Sequence, residues 1–436
     1  MASVAAILRS PPARTLMSGA SWSVLGQVSL ALAQWAIVVA LARNATAAAV
    51  GQFALGMALT APLFGFSNMC LAQLQATDVH GEYPFSAYAG VRALSTLAAL
   101  LVLPWLVFAS TPAMHVLWVA VAFGIARAAD SASDLCYGLF QRHGQFRTIG
   151  QSMVLRSVLC ALGAVTALLA THTGLGTAAG LALAWATCAL MFDVPRARLL
   201  LRTRGRAEEW GLQFAWASVV GVARHGLPLS LVMGLNMAAM NLPRYWVASQ
   251  LGEASLGYFA AIAYLMMAAN MVIAAGSQAV LPRLAEDYVG APHRYCRLVG
   301  WLVGGSILAG LLCIAIALVA GQPIMALIYA PGYARFQSTL VWTMAGTAVL
   351  MLVSVTGVAM TAARRFGVQV WNSLAAALAT ALACALLVRR HGLDGAAIAV
   401  LIGLLVKLLG QGLVLVKLIP EAWRRHSLAS AGPMHA

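Results

Sequence analysis

Charge is the scarcest property of this sequence. Of its 436 residues only 9% are charged and 62% are hydrophobic, against roughly 25% and 45–50% in an ordinary soluble domain. A soluble globular protein and a disordered chain are thereby excluded. Acidic residues are rarer still, 12 Asp+Glu against 27 Lys+Arg, and lysine occurs only at Lys407 and Lys417. No polar stretch is long enough to build an extramembrane domain. The seven cysteines form no C-x-x-C and the nine histidines show no ligand spacing. Cys70, Cys136, Cys160, Cys188, Cys296, Cys313 and Cys384 read as small apolar residues, with disulfides and metal sites not expected. No Walker loop, nucleophile elbow or H-E-x-x-H is present. An enzyme is therefore not expected, nor is a cofactor.

What is there is apolar sequence in long runs. The fold class it implies is an all-α polytopic membrane protein. We place twelve spans at about residues 16–42, 48–74, 86–110, 115–140, 150–171, 174–194, 226–250, 255–282, 297–320, 337–362, 368–388 and 394–417. The first run is too long for the core of a cleavable signal peptide, so it reads as a transmembrane helix. A formal charge of +15 would suggest nucleic acid in a soluble chain. Here the arginines gather in alternate connectors, a bias that orients a membrane protein, and no nucleic-acid partner is expected. One set of connectors carries Arg9/Arg14, Arg142/Arg147, Arg196, Arg198, Arg202, Arg204, Arg206, Arg283/Arg294, Arg364/Arg365 and Lys417/Arg424/Arg425. The other has only Arg43, Arg335 and Arg389/Arg390. Both termini are expected in the cytoplasm.

The spans divide into halves. A six-helix lobe over 1–194 leads into a basic cytoplasmic linker, 195–225, with an amphipathic stretch over Trp210–Arg224. A second six-helix lobe covers 226–418, and 419–436 is a cytoplasmic tail. Gly51-Gln52-Phe53-Ala54 opens the second span and Gly257-Tyr258-Phe259-Ala260 the eighth. Two such halves share one topology and imply a pseudo-two-fold axis along the membrane normal, with a substrate site between them.

Several stretches together resemble the polysaccharide-transport branch, the O-antigen and exopolysaccharide flippase type, of the multidrug/oligosaccharidyl-lipid/polysaccharide exporter superfamily. They are Ser18-Gly19-Ala20-Ser21-Trp22 with Gly26, Gly51-Gln52-Phe53, Ile328-Tyr329-Ala330-Pro331-Gly332-Tyr333-Ala334, Ala362-Ala363-Arg364-Arg365, and Arg390-His391-Gly392-Leu393-Asp394-Gly395-Ala396-Ala397. Ala330 stands where that branch usually has glycine. Twelve spans also differ from the fourteen of the peptidoglycan lipid flippase branch. The resemblance implies a bacterial inner-membrane flippase working by alternating access. Its substrate would be undecaprenyl-diphosphate-linked oligosaccharide for O-antigen (lipopolysaccharide) or exopolysaccharide biosynthesis. Its partners would be the lipid bilayer and glycan polymerase or assembly proteins. A cation-coupled multidrug exporter of the same fold and a membrane glycan polymerase or ligase are the alternatives.

A charge inside a span is costly, so it marks a polar cavity or a pair. Seven are identified in the spans: Arg92, Arg127, Arg156, Arg244, Lys407, Asp130 and Asp134. That is a surplus of three cations, suited to an anionic head group and poorly suited to a cationic drug. Arg127 and Lys407 lie near mid-span and are expected to face a cavity. Arg92 and Arg156 sit about 9 Å from a span end, where they either snorkel to water or face the cavity. Arg244 shares a face with Asn241 and Asn236. The expected substrate-binding set is Arg127, Lys407, Arg244, Asn241 and Arg92. Asp130 and Asp134 follow Arg127 on one helix face. They form an internal pair with it, a coupling site for protons or sodium, or a latch to Lys407. Gln27, Gln34, Gln52, Asn68, Asn270, Asn372 and Gln411 are expected to join helices, and Gly300 and Gly304 to allow close packing.

Overall fold

The structure, a computed structural model, describes residues 11–78, 82–110, 113–212, 214–363 and 365–430. Arg9 and Arg364 lie outside the described residues. Helices α1 (Pro11–Asn44), α2 (Ala47–Ser67), α3 (Leu71–Thr77), α4 (Phe85–Ser110), α5 (Met114–Arg142), α6 (Phe146–Thr171), α7 (Gly174–Cys188) and α8 (Val194–Thr203) are followed by α9 (Trp216–Gly290), α10 (Pro292–Ile328), α11 (Gln337–Ala362) and α12 (Phe366–Ser430). Ten helical stretches among the described residues are long and apolar enough to cross a membrane.

Two of these stretches are double. The α9 helix has 75 residues, which would run about 110 Å against a hydrocarbon core of ~30 Å. Its backbone breaks at Gly252 (φ 82°, ψ 175°), a conformation open to glycine alone. The α12 helix breaks likewise at Gly392 (φ 58°, ψ −133°). Past that break the chain doubles back: Gly395 lies against the Leu387 carbonyl, Gly403 against Ala376 and Thr380, and Gly410 against Asn372. These contacts centre an antiparallel hairpin near residue 391. With both breaks counted, the chain is an all-α, twelve-span, multi-pass membrane protein.

Contacts divide the chain into two compact units, Met1–Ala238 and Ala239–Ala436. In place of a separate surface helix over Trp210–Arg224, α9 starts at Trp216 and runs unbroken to Gly252. Its opening turns pack on the first unit: Gly226 meets Met69, Gly234 meets Phe66, and Gly221 meets Tyr83. Ahead of it, Trp210 stacks on Phe85 at 5.5 Å, and the Glu209 carboxylate accepts from the Phe85 N–H. The first unit is closed by small-residue contacts, such as Gly163 against Gly180 between α6 and α7. Gly300 and Gly304 do not pack closely, because nothing lies within 4 Å of a Cβ placed on either. They face outward from α10.

In the second unit, Phe259 and Ala260 are buried just past the Gly252 break, as Phe53 and Ala54 are just past the start of α2. The repeated tetrapeptides therefore hold the same register in their helices. Tyr329 and Tyr333 also return to this segment. The Tyr329 hydroxyl donates to the Ala261 carbonyl at 2.7 Å, and Tyr258 packs edge-on to Tyr333 at 4.8 Å.

Candidate functional site

The α5 helix carries the polar centre of the first unit. Asp134, Ser131, Asp130 and Arg127 follow one another along a single face, as the spacing predicts, but they meet different neighbours. Near the α4 start, Arg92 donates to Asp134 at 2.6 Å and to Asn68 at 2.6 Å. Ser131 donates to the same Asn68 oxygen at 2.8 Å. Arg92 is 4% exposed. It neither snorkels nor opens to a ligand, and instead ties α2, α4 and α5 together. Asp134 is the ion-pair partner of Arg92.

Farther along α5, Asp130 accepts from Arg156 of α6 at 2.5 Å and lies 3.6 Å from Arg127. Arg156 is buried too, 5.5 Å over the Trp185 ring and 5.7 Å over Tyr137. Arg127 differs from both. Its side chain is 25% exposed, it lies 5.7 Å over Trp185, and it lines a cavity of about 60 Å³ with Gln34, Phe53, Met57 and Phe123. Gln34 and Arg127 are thus the polar groups of a largely apolar cavity in the first unit.

One acid was missed by sequence reasoning. Asp193 lies one residue before the inferred end of the sixth span and is fully buried, 3.9 Å from Arg156. A π-turn, Ala189–Asp193, joins α7 to α8 there. The helix carries on to Thr203, deeper than the apolar run alone implies. No spacing signal marks a π-turn. With Asp193 counted, the spans of the first unit balance three arginines, Arg92, Arg127 and Arg156, against three aspartates. The cation surplus falls from three to two, Arg244 and Lys407, both in the second unit.

Arg244 donates to Asn241 at 2.7 Å, one turn apart on α9. Asn241 is buried, whereas Asn236 is exposed. Lys407 sits on α12 opposite that helix's exposed stripe of Leu405, Leu409, Leu413 and Val416. Its face lies between Leu404, beside Gly346 of α11, and Gly403 and Gly410, beside the first half of α12. It thus points into its unit. Among the described residues no carboxylate pairs with it. One turn on, Gln411 accepts from Thr356 at 2.7 Å, and Asn270 accepts from Ser354 at 3.2 Å. Gln411, Asn270 and Asn68 join helices as expected. The cysteines are free, and Cys70, Cys136, Cys160, Cys188 and Cys384 are buried.

No family model matches the chain. A capsular polysaccharide biosynthesis protein of Staphylococcus aureus, CapF, is 19% identical over 392 residues, covering 89% of this chain and 96% of that protein. Among solved structures, the lipid II flippase MurJ in an inward closed conformation superposes with a TM-score of 0.75 at 12% identity, covering 95% of this chain and 93% of that one. An inward-facing MATE multidrug-resistance transporter of the MOP superfamily gives 0.64 at 14% identity, covering 93% and 96%. The chain has the membrane-transporter fold shared by these flippases and exporters, and its sequence is similar to a polysaccharide biosynthesis protein, in keeping with the resemblance to polysaccharide transporters.

Proposed function

We propose that the chain is a flippase that moves a polyprenyl-diphosphate-linked oligosaccharide across the bacterial inner membrane by alternating access. It would feed O-antigen or exopolysaccharide assembly, keep both termini in the cytoplasm and catalyse no bond change. Similarity along nearly its whole length to CapF, on a fold shared with a lipid II flippase, supports this reading. The observation that carries it is Lys407, an amino group turned into its unit with no carboxylate among the described residues to neutralise it. Such a charge calls for an anion to complete it.

Lys407, Arg244 with Asn241, and Arg127 are the groups proposed to neutralise the diphosphate. Arginine grips phosphate oxygens in pairs, and lysine acts as a point charge. The lipid tail stays in the bilayer. An anionic head group feels the membrane potential at about 2.3 kcal/mol per charge per 100 mV, so these cations also set how strongly the potential acts on the loaded protein. Asp134 and Asp130 are proposed as gating groups through the arginines they hold. Arg92 bridges helices in this scheme and does not touch substrate.

The test is a lipid extract from a strain lacking the gene, read by mass spectrometry. Complete polyprenyl-diphosphate-linked repeat units should accumulate while surface polysaccharide disappears. Truncated intermediates would move the protein to synthesis, as a polymerase or ligase. Unchanged glycans with raised drug sensitivity would make it a multidrug exporter. In the complemented strain, Lys407→Glu and Arg127→Glu should abolish surface glycan at normal protein level. Normal export by both would overturn the assignment of these residues.

A further inference from the structure

Five buried polar atoms lie together around Asp193 without a hydrogen bond of normal geometry: both of its carboxylate oxygens, Ser133 Oγ, and Nε and Nη2 of Arg156. Asp193 itself is 0% exposed. The hydroxyls beside it belong to Ser133 and Ser152, and Ser152 is already engaged by the Tyr137 hydroxyl at 2.7 Å. Arg156 Nη2 stands 3.9 Å from Asp193 while Nη1 of the same guanidinium holds Asp130 at 2.5 Å. The titratable and charged groups facing Asp193 are Cys136 and Tyr137 from α5, Arg156 from α6, and Cys188 and Arg196 on either side of the π-turn.

An ionised carboxylate buried in this way, with only the two serine hydroxyls beside it and its nearest cation 3.9 Å off, is strongly disfavoured. Arginine cannot relieve it by giving up a proton. A neutral carboxylic acid fits, because its O–H needs only one acceptor, and the Ser133 hydroxyl beside it can be that acceptor. We propose that Asp193 is a proton-binding site whose occupancy decides which carboxylate Arg156 holds. With the proton on, Asp193 donates to Ser133 and Arg156 stays on Asp130, the arrangement described here. With the proton released, the Asp193 carboxylate draws Arg156 across the 3.9 Å gap. Asp130 is then left to Arg127, its other partner, and pulls that guanidinium off the cavity it shares with Gln34. The one covalent change is the Asp193 O–H, whose proton is exchanged with water; the rest is an exchange of ion pairs. The link from Arg127 to a head group rests on the functional reading above, whereas the proton site does not.

Infrared spectroscopy of the purified full chain in lipid nanodiscs tests the site without any transport assay. At neutral pH a protonated carboxyl stretch is expected. It should shift when aspartate is labelled with 13C at the side-chain carboxyl, vanish in Asp193→Asn, and move to higher frequency in Ser133→Ala as the hydrogen bond is lost. No such band in the wild type, or a band that survives in Asp193→Asn, overturns the proposal. Should Asp193→Asn fail to fold, Ser133→Ala decides: an unmoved band overturns it. Because substrate plays no part, failure of the flippase reading leaves this result standing, and the converse holds.

Discussion

Arg92 and Arg127 are both arginines inside apolar helices, yet their surroundings assign them opposite work. Arg92 is 4% exposed with two partners at 2.6 Å, whereas Arg127 keeps a quarter of its side chain open on a cavity. Removing one partner of a buried pair strands the other charge and costs about 3–5 kcal/mol. Asp134→Ala should therefore lower unfolding stability in detergent, by less than that full amount because the Asp134 side chain is 34% exposed and Arg92 keeps Asn68. The double change Arg92→Met, Asp134→Leu should recover most of it, because two apolar side chains leave no charge unpaired. Arg127→Gln should move stability by less than about 1 kcal/mol, as a half-open pair contributes little, while cutting glycan export. A stability scan beside an export assay separates the two outcomes. Sequence position alone left Arg92 open between anchor and cavity, since depth in a span says nothing of what stands opposite. Asn68 and Asp134, the deciding residues, are 24 and 42 positions away.

At the scale of the element, glycine separates hinges from ornament. Gly252 and Gly392 take backbone conformations with positive φ that a side chain reaches only at a cost of roughly 1–3 kcal/mol. Each stands where one long helix becomes two spans. Gly392→Ala should destabilise the protein by about that much, measured by thermal unfolding in detergent. Gly304→Ala on α10, with open space around it, should be neutral or raise stability by about 0.5–1 kcal/mol through helix propensity. The sequence expectation of close packing at Gly300 and Gly304 rested on spacing, which is shared by faces that pack and faces that meet lipid. Position within the run was the better guide: the breaks at Gly252 and Gly392 fall between spans, as hydropathy placed them. The π-turn at Ala189–Asp193 had no such signal, and Asp193 was overlooked for that reason.

Across the whole molecule, arginine placement is the strongest global feature. The connectors rich in arginine alternate with those that have few, and on this bias we propose that both ends of the chain lie on the basic, cytoplasmic side. A reporter that is active only in the cytoplasm, fused at the C-terminus, should therefore be active, and one fused after Arg335 should be silent. The sequence by itself determined the membrane class, the number of spans and the paired halves. Apolar run length, period and arginine asymmetry are properties of local composition, and a bilayer reads them directly. Only the tertiary structure decided which intramembrane charges cancel, that Asp193 completes the balance in the spans of the first unit, and that Lys407 has no carboxylate partner among the described residues. Pairing depends on which helix stands beside which, and contacts between residues tens of positions apart are not written in any one span.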